Sequence, residues 1–154
     1  MALALDLPGG VSLNLAHLVL DFTGTLSRDG ALLPGVAGRI RKIAKRMRVT
    51  VMTADTFGTA SNALRGLPVR VRFVATGAEK ARCVKKLGTR LVAAVGNGRN
   101  DAAMVRIAAL GIAVVGPEGA AGELVRAADV VVRDVRDAFD LLLNPLRLKA
   151  TLRA

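Results

Sequence analysis

The chain alternates short apolar runs with stretches whose apolar positions recur every three or four residues, which predicts strands joined by crossover helices. Residues 11–16 (VSLNLA) alternate as an edge strand does, and residues 17–20 run into Asp21 as a central strand. Residues 33–46 predict the first helix, with Pro34 near its start, where a missing N–H does no harm. A second strand follows at 49–53 and a short helix at 56–66. Residues 69–75 (VRVRFVA) alternate cleanly and predict a strand near the sheet edge, because their arginines need solvent. Residues 79–87 read as helix, and residues 91–95 (LVAAV) form the continuous apolar run of a central strand. Beyond them the pattern gives a helix at 100–110, a strand at 112–115, a helix at 120–127, a strand at 130–132 and a closing helix at 137–143 that Pro145 ends or interrupts.

Five or six parallel strands separated by helices make an α/β fold, a three-layer doubly wound sheet, expected here as one domain over residues 1–154. In such sheets ligands gather beyond the carboxyl ends of the strands. Those ends carry Asp21 after the first central strand, Thr53 at the end of the second, and Gly96-Asn97-Gly98-Arg99-Asn100-Asp101 after the fourth, with Lys80 on the preceding helix.

Composition narrows the partners. The chain is 52% apolar but only 3% aromatic, so the core is built from Val, Leu, Ile and Ala, and Phe22, Phe57, Phe73 and Phe139 are its only rings. An aromatic platform for stacked bases is therefore not expected, and nucleic acid is disfavoured as a partner. A net charge of +11 favours phosphorylated or otherwise anionic partners. Much of it sits in residues 38–49 (GRIRKIAKRMRV), whose ordinary reading is a solvated helix face and whose sharper one is an acidic or nucleic-acid partner. The single cysteine, Cys83, excludes an internal disulfide and suits a reducing compartment. The start of the chain lacks a basic, apolar leader and no apolar run approaches 18 residues, so a cytoplasmic protein without a membrane partner is expected.

The residue types at the strand ends suit phosphoryl transfer to a carboxylate. A carboxylate attacks phosphorus only when the repulsion between two anions is relieved, by a divalent cation, an ammonium and hydrogen-bond donors. Asp21, Lys80, Thr53 and Asp101 supply a nucleophile, a cation, a hydroxyl and a second carboxylate, and Gly24 lets backbone N–H groups approach a phosphate.

These segments resemble the four motifs of the haloacid dehalogenase (HAD) superfamily: DFTGT at 21–25, Thr53, Lys80, and GNGRND at 96–101 followed by AAMVRIAALGIAVVG. More narrowly they are similar to the phosphorylation domain of P-type ATPases, with its DKTGT, TGD and GDGxND signatures. Over about residues 15–150, down to the closing LLLNPLRLKATLRA, the chain looks like the stand-alone soluble P-type ATPase-like proteins. The resemblance implies an Mg²⁺-dependent phosphatase or phosphotransferase with Asp21 as the residue that becomes aspartyl-phosphate. It implies Mg²⁺ held by Asp21, the Thr23 carbonyl, Asn97 and Asp101, and phosphate bound by Gly24, Thr25, Thr53, Ala54, Lys80 and Asn100. Asp55, in Thr53-Ala54-Asp55, is a further candidate.

Two departures bear on mechanism. HAD phosphatases usually carry an acid two residues after the nucleophile, where this chain has Thr23, so slow hydrolysis of the phosphoenzyme is expected. Asn97 stands where the ATPases have the first Asp of GDGxND, which removes one negative charge from the metal site. Only 58 residues separate Asp21 from Lys80, too few for a cap or nucleotide-binding domain, so ATP is weakly supported as a donor. An uncapped pocket must be closed by a macromolecular substrate or a second subunit, and a homo-oligomer is expected. The alternative reading is a catalytically weak domain acting as a phosphate- or metal-dependent binding or regulatory subunit.

Overall fold

The apolar run before Asp21 lies at the centre of the molecule. In a computed structural model that describes residues 2–55 and 58–153, the elements in chain order are β1 (Leu3–Leu7), β2 (Val11–Leu15), β3 (His17–Asp21), β4 (Ser27–Arg28), β5 (Ala31–Leu32), α1 (Val36–Ile43), β6 (Arg48–Thr53), α2 (Thr59–Ala63) and β7 (Val69–Phe73). There follow α3 (Gly77–Leu87), β8 (Val92–Gly96), α4 (Ala102–Ile107), β9 (Leu110–Val114), α5 (Gly122–Ala127), β10 (Val130–Val132), α6 (Val135–Leu143) and α7 (Pro145–Thr151). Thr56, which opens the helix expected at 56–66, and the ring of Phe57 lie outside the described residues.

Six strands form one parallel sheet in the order β10-β9-β8-β3-β6-β7. Alternation along β3 divides the core: Leu18 and Leu20 pack with Val36, Ile40 and Ile43 of α1 and Phe139 and Leu142 of α6. Val19 faces the other way, among Val84 of α3, Val105 of α4 and Leu124 of α5. The result is the three-layer, doubly wound sheet expected. β7 is an edge strand with Arg70 and Arg72 exposed, as its alternation predicts. No helix among the described residues is long and apolar enough to cross a membrane.

Four local expectations change. The strand expected at 11–16 does not border the main sheet; β2 pairs antiparallel with β1 in a separate hairpin, turned by Gly9 and Gly10 in left-handed conformation (φ 89° and 80°). Its Leu3, Leu5, Leu13 and Leu15 face the core together. The first helix starts later than 33, because β4 and β5 form a small hairpin and the Leu33 amide returns to the Leu26 carbonyl at 2.9 Å. The helix expected to reach Leu110 ends at Ile107, since Ala108 is extended and Leu110 already pairs with Ala93 of β8. Pro145 does not only end α6; it occupies the first turn of α7, where its ring is compatible with helical φ.

Candidate active site

The loop after β3 is wound around one carbonyl. The Phe22 oxygen accepts from the amides of Thr25, Leu26 and Ser27 at 3.2, 2.9 and 3.2 Å, and from the Ser27 hydroxyl at 3.2 Å. Gly24 takes the left-handed φ of 74° that so tight a turn requires. The carboxylate of Asp21 thus ends a buried strand and stands at the base of a rigid loop, 7% exposed.

Lys80 reaches it from the second turn of α3, a helix whose N-cap Thr76 side chain accepts from the Glu79 amide at 3.2 Å. Lys80 is 2% exposed, and its Nζ donates to Asp21 Oδ1 at 2.8 Å and to Asp101 Oδ1 at 2.7 Å. Asp101 is fully buried in the short 3₁₀ turn Arg99–Asp101 after β8. Its Oδ2 accepts from the amides of Asn97 at 3.2 Å and Gly98 at 3.0 Å, so both its oxygens are engaged. Gly96 is required here because a Cβ would stand 2.5 Å from the Asp101 carboxyl.

Thr25 completes the cluster, fully buried. Its hydroxyl lies 3.1 Å from Asp21 Oδ2 and 3.2 Å from Asn97 Oδ1, so its one proton is shared between two acceptors. Thr53 ends β6, next in line after Met52, which pairs with Asp21. It is 2% exposed and its hydroxyl accepts from the Asp55 amide at 3.1 Å. Ala54 is exposed and Asp55 half-buried beside it. Thr23 is exposed on the loop and bridges to Ser27. Asn100 is exposed on the 3₁₀ turn, with its carbonyl against Gly77 at the start of α3.

The electrostatics follow from two carboxylates sharing one ammonium away from water. Burial, and after it the charge of Asp101, raise the Asp21 carboxyl to about 6 against the pull of Lys80 and Thr25. Burial would lower the Lys80 pKa, but the charges of Asp21 and Asp101 and their hydrogen bonds raise it overall, so the side chain stays an ammonium. No buried side-chain nitrogen or oxygen among the described residues lacks a hydrogen-bond partner.

Gly116-Pro117-Glu118-Gly119 reads from sequence as a turn beside the pocket with no chemistry of its own in its composition, and the structure adds a carboxylate there. The Glu118 carboxylate reaches the loop after Asp21: a Cβ on Gly24 would stand 2.5 Å from Glu118 Oε2 and 2.7 Å from Asn97 Nδ2. The turn is closed by the Gly119 amide on the Gly116 carbonyl (2.9 Å) and held by Asn97 Nδ2 on the Gly119 carbonyl (3.3 Å).

No protein-family model matches the chain. An uncharacterised protein of Methanocaldococcus jannaschii is 48% identical to it over 69 residues, 45% of this chain and 74% of that one. Among solved structures, a protein of Legionella pneumophila assigned as a HAD superfamily (subfamily III A) hydrolase superposes with a TM-score of 0.71 at 18% identity, covering 90% of this chain and 87% of that one. The 3-deoxy-D-manno-octulosonate 8-phosphate phosphatase of Moraxella catarrhalis, solved with magnesium and phosphate ions, gives 0.69 at 18% identity over 88% and 90% of the two chains. The catalytic domain of the CPx-ATPase CopB-B gives 0.62 at 19% identity, over 72% of this chain and 45% of that one. At these identities the structural likeness establishes the fold, which is that of the HAD hydrolases.

Proposed function

As the chain belongs to the family of the Methanocaldococcus jannaschii protein and carries the HAD fold, we propose that it is a phosphohydrolase or phosphotransferase acting through an aspartyl-phosphate on Asp21. The observation that carries this reading is the buried Asp21–Lys80–Asp101 cluster at the carboxyl ends of the strands.

In this reading the phosphate of a monoester enters over the loop of residues 22–25, with the Thr53 hydroxyl donating to one of its oxygens. A carboxylate oxygen of Asp21 attacks phosphorus, the bond from phosphorus to the ester oxygen breaks, and the departing alkoxide takes a proton from water. Lys80 stabilises the charge that builds on the phosphoryl oxygens and keeps Asp21 oriented. Water then attacks the aspartyl-phosphate, the bond from phosphorus to Asp21 breaks, and the carboxylate returns with release of inorganic phosphate. Thr23 has no acid to offer the leaving group or base to offer that water, so the second step is the slower one.

The oxygen donors present suit Mg²⁺, which takes one or two carboxylates and keeps several waters. Asp21, the Thr23 carbonyl and the Asn97 amide oxygen would hold it. Asp101 would join them through Oδ1, which accepts from Lys80 alone and keeps a lone pair, while its Oδ2 is filled by two amides. Bound there, Mg²⁺ would neutralise charge between nucleophile and phosphate. An uncapped pocket also supports closure by a second subunit or a macromolecular substrate.

The test is Mg²⁺-dependent hydrolysis of p-nitrophenyl phosphate together with beryllofluoride trapping read by intact mass. Turnover and the adduct should both vanish in Asp21→Asn; wild-type rates no higher than that variant's would sink the reading.

A further inference from the structure

Next to the nucleophile loop, the ends of β9 and β10 and the β4/β5 hairpin line a half-open cavity of about 300 Å³. It adjoins the loop directly. A Cβ on Gly116, in the cavity wall, would stand 2.9 Å from the Gly24 carbonyl oxygen, and Arg28, also lining the cavity, follows Ser27, which bridges to Thr23.

The charges lining this cavity do not cancel. Three arginines, Arg28, Arg133 and Arg136, face one aspartate, Asp134. That aspartate is already matched: its Oδ1 accepts from the Arg136 amide and Nε, both at 2.8 Å, and its Oδ2 takes a third bond from the same guanidinium. Arg136 is further tied to the Pro34 carbonyl at 3.0 Å. Arg28 and Arg133, both exposed, are left without an acid among the lining residues. The rest of the wall is apolar, and it includes Val115, which is 43% exposed at the end of a strand otherwise wholly buried.

We propose that this cavity is a substrate subsite for a second anionic group, a carboxylate or a further phosphate, on the molecule whose phosphate monoester meets Asp21. The proposal rests on the aspartyl-phosphate reading above. Guanidinium groups bind such oxyanions with two parallel hydrogen bonds, and the apolar wall accepts the carbon skeleton that joins the two anions. A volume of about ten liquid waters has room for one such group and a short linker. With no cap over the pocket, selectivity must come from its rim, and binding energy gained away from phosphorus is available to orient the reacting phosphate.

The test separates binding from turnover. Calorimetric titration of the wild-type chain in EDTA, and of the Asp21→Asn chain, uses 3-phosphoglycerate and glycerol 3-phosphate, two probes that differ by a carboxylate in place of a hydroxymethyl group. The carboxylated probe should bind about tenfold tighter or better. That ratio should fall to near one in Arg28→Gln/Arg133→Gln and survive in Arg41→Gln/Arg90→Gln, which removes equal charge elsewhere. Equal affinity for the two probes, a preference that outlives the first double variant, or no binding of either overturns the proposal. A beryllofluoride adduct without the preference removes the subsite and leaves the aspartyl-phosphate reading standing; the preference without an adduct does the reverse.

Discussion

Lys80 Nζ lies 2.8 Å from Asp21 Oδ1 although the two residues are 59 positions apart, and it is the cation bonded to both buried carboxylates of the cluster. Lys80→Met should therefore leave Asp21 and Asp101 facing each other unpaired. A loss of about 3 kcal/mol is expected in urea titrations at neutral pH without metal. Adding Asp101→Asn should recover part of it; a double variant no more stable than the single one would contradict this account.

Gly24 is constrained twice, by a φ of 74° and by the Glu118 and Asn97 side chains where a Cβ would go. Gly24→Ala should cost about 1–2 kcal/mol from backbone strain alone and displace both neighbours. Truncating Glu118 to Ala in the same chain should relieve the contact and not the φ, so thermal unfolding should show partial recovery.

In the proposed mechanism Thr23 stands where an acid would pass a proton to the leaving group. Thr23→Asp should speed hydrolysis of the aspartyl-phosphate by about 10²-fold whichever ester supplied the phosphate, and should speed formation of the aspartyl-phosphate most for esters with poor leaving groups. The gain in that first step should shrink for p-nitrophenol, which leaves readily without a proton. Single-turnover quench experiments read both.

Arg39 ties α1 to α6 through a two-pronged pair with Asp140, Nε to Oδ1 at 2.9 Å and Nη2 to Oδ2 at 3.1 Å. The hydrogen bond from Arg39 holds the Asp140 carboxyl below its usual value, and Arg136 does the same for Asp134. A depressed carboxylate adds stability that is present above its unfolded pKa and is lost as pH falls through the folded one. Partial exposure keeps each pair near half a kcal/mol, about 0.5 in low salt and less in high salt. Arg39→Met should thus lower stability at pH 7 and converge with wild type at pH 2–3.

His17 has the opposite charge type and the same sign. Burial, then Arg48, lower its pKa, so the folded chain binds a proton less readily than the unfolded one. Its contribution is complete above the unfolded value of about 6.5 and declines as pH falls below it. His17→Gln should flatten that part of the stability profile, measured by urea midpoints between pH 5 and 8.

Much of this was readable from sequence because it is carried by local patterns. The apolar run into Asp21 marks a central strand, buried from Leu18 to Asp21, and residues 130–132 match β10 residue for residue. Asp21, Lys80 and Asp101 meet, and Thr53 ends the neighbouring strand, because a parallel sheet puts every strand's carboxyl end on one rim. The N-terminal hairpin was missed although Leu3, Leu5 and Leu7 alternate ahead of Pro8-Gly9-Gly10, a turn signal between two strand patterns. Glu118 had no such signal. Its place over Gly24 depends on a turn that is fixed by Asn97, 21 residues earlier in sequence, and only the folded chain brings them together.

The sheet order has one more consequence, for folding. β3 is flanked by β6 and by β8, so His17 pairs with Arg48 on one side and with Val92 on the other. Closing the second pairing spans far more chain than the first and comes at a larger entropic cost. Lys80 and Asp101 sit on either side of β8, so a chain that has joined β3 only to β6 holds Asp21 with neither partner. Refolding monitored by helix content should outrun the return of beryllofluoride binding, because the site exists only once the sheet has closed around its middle strand.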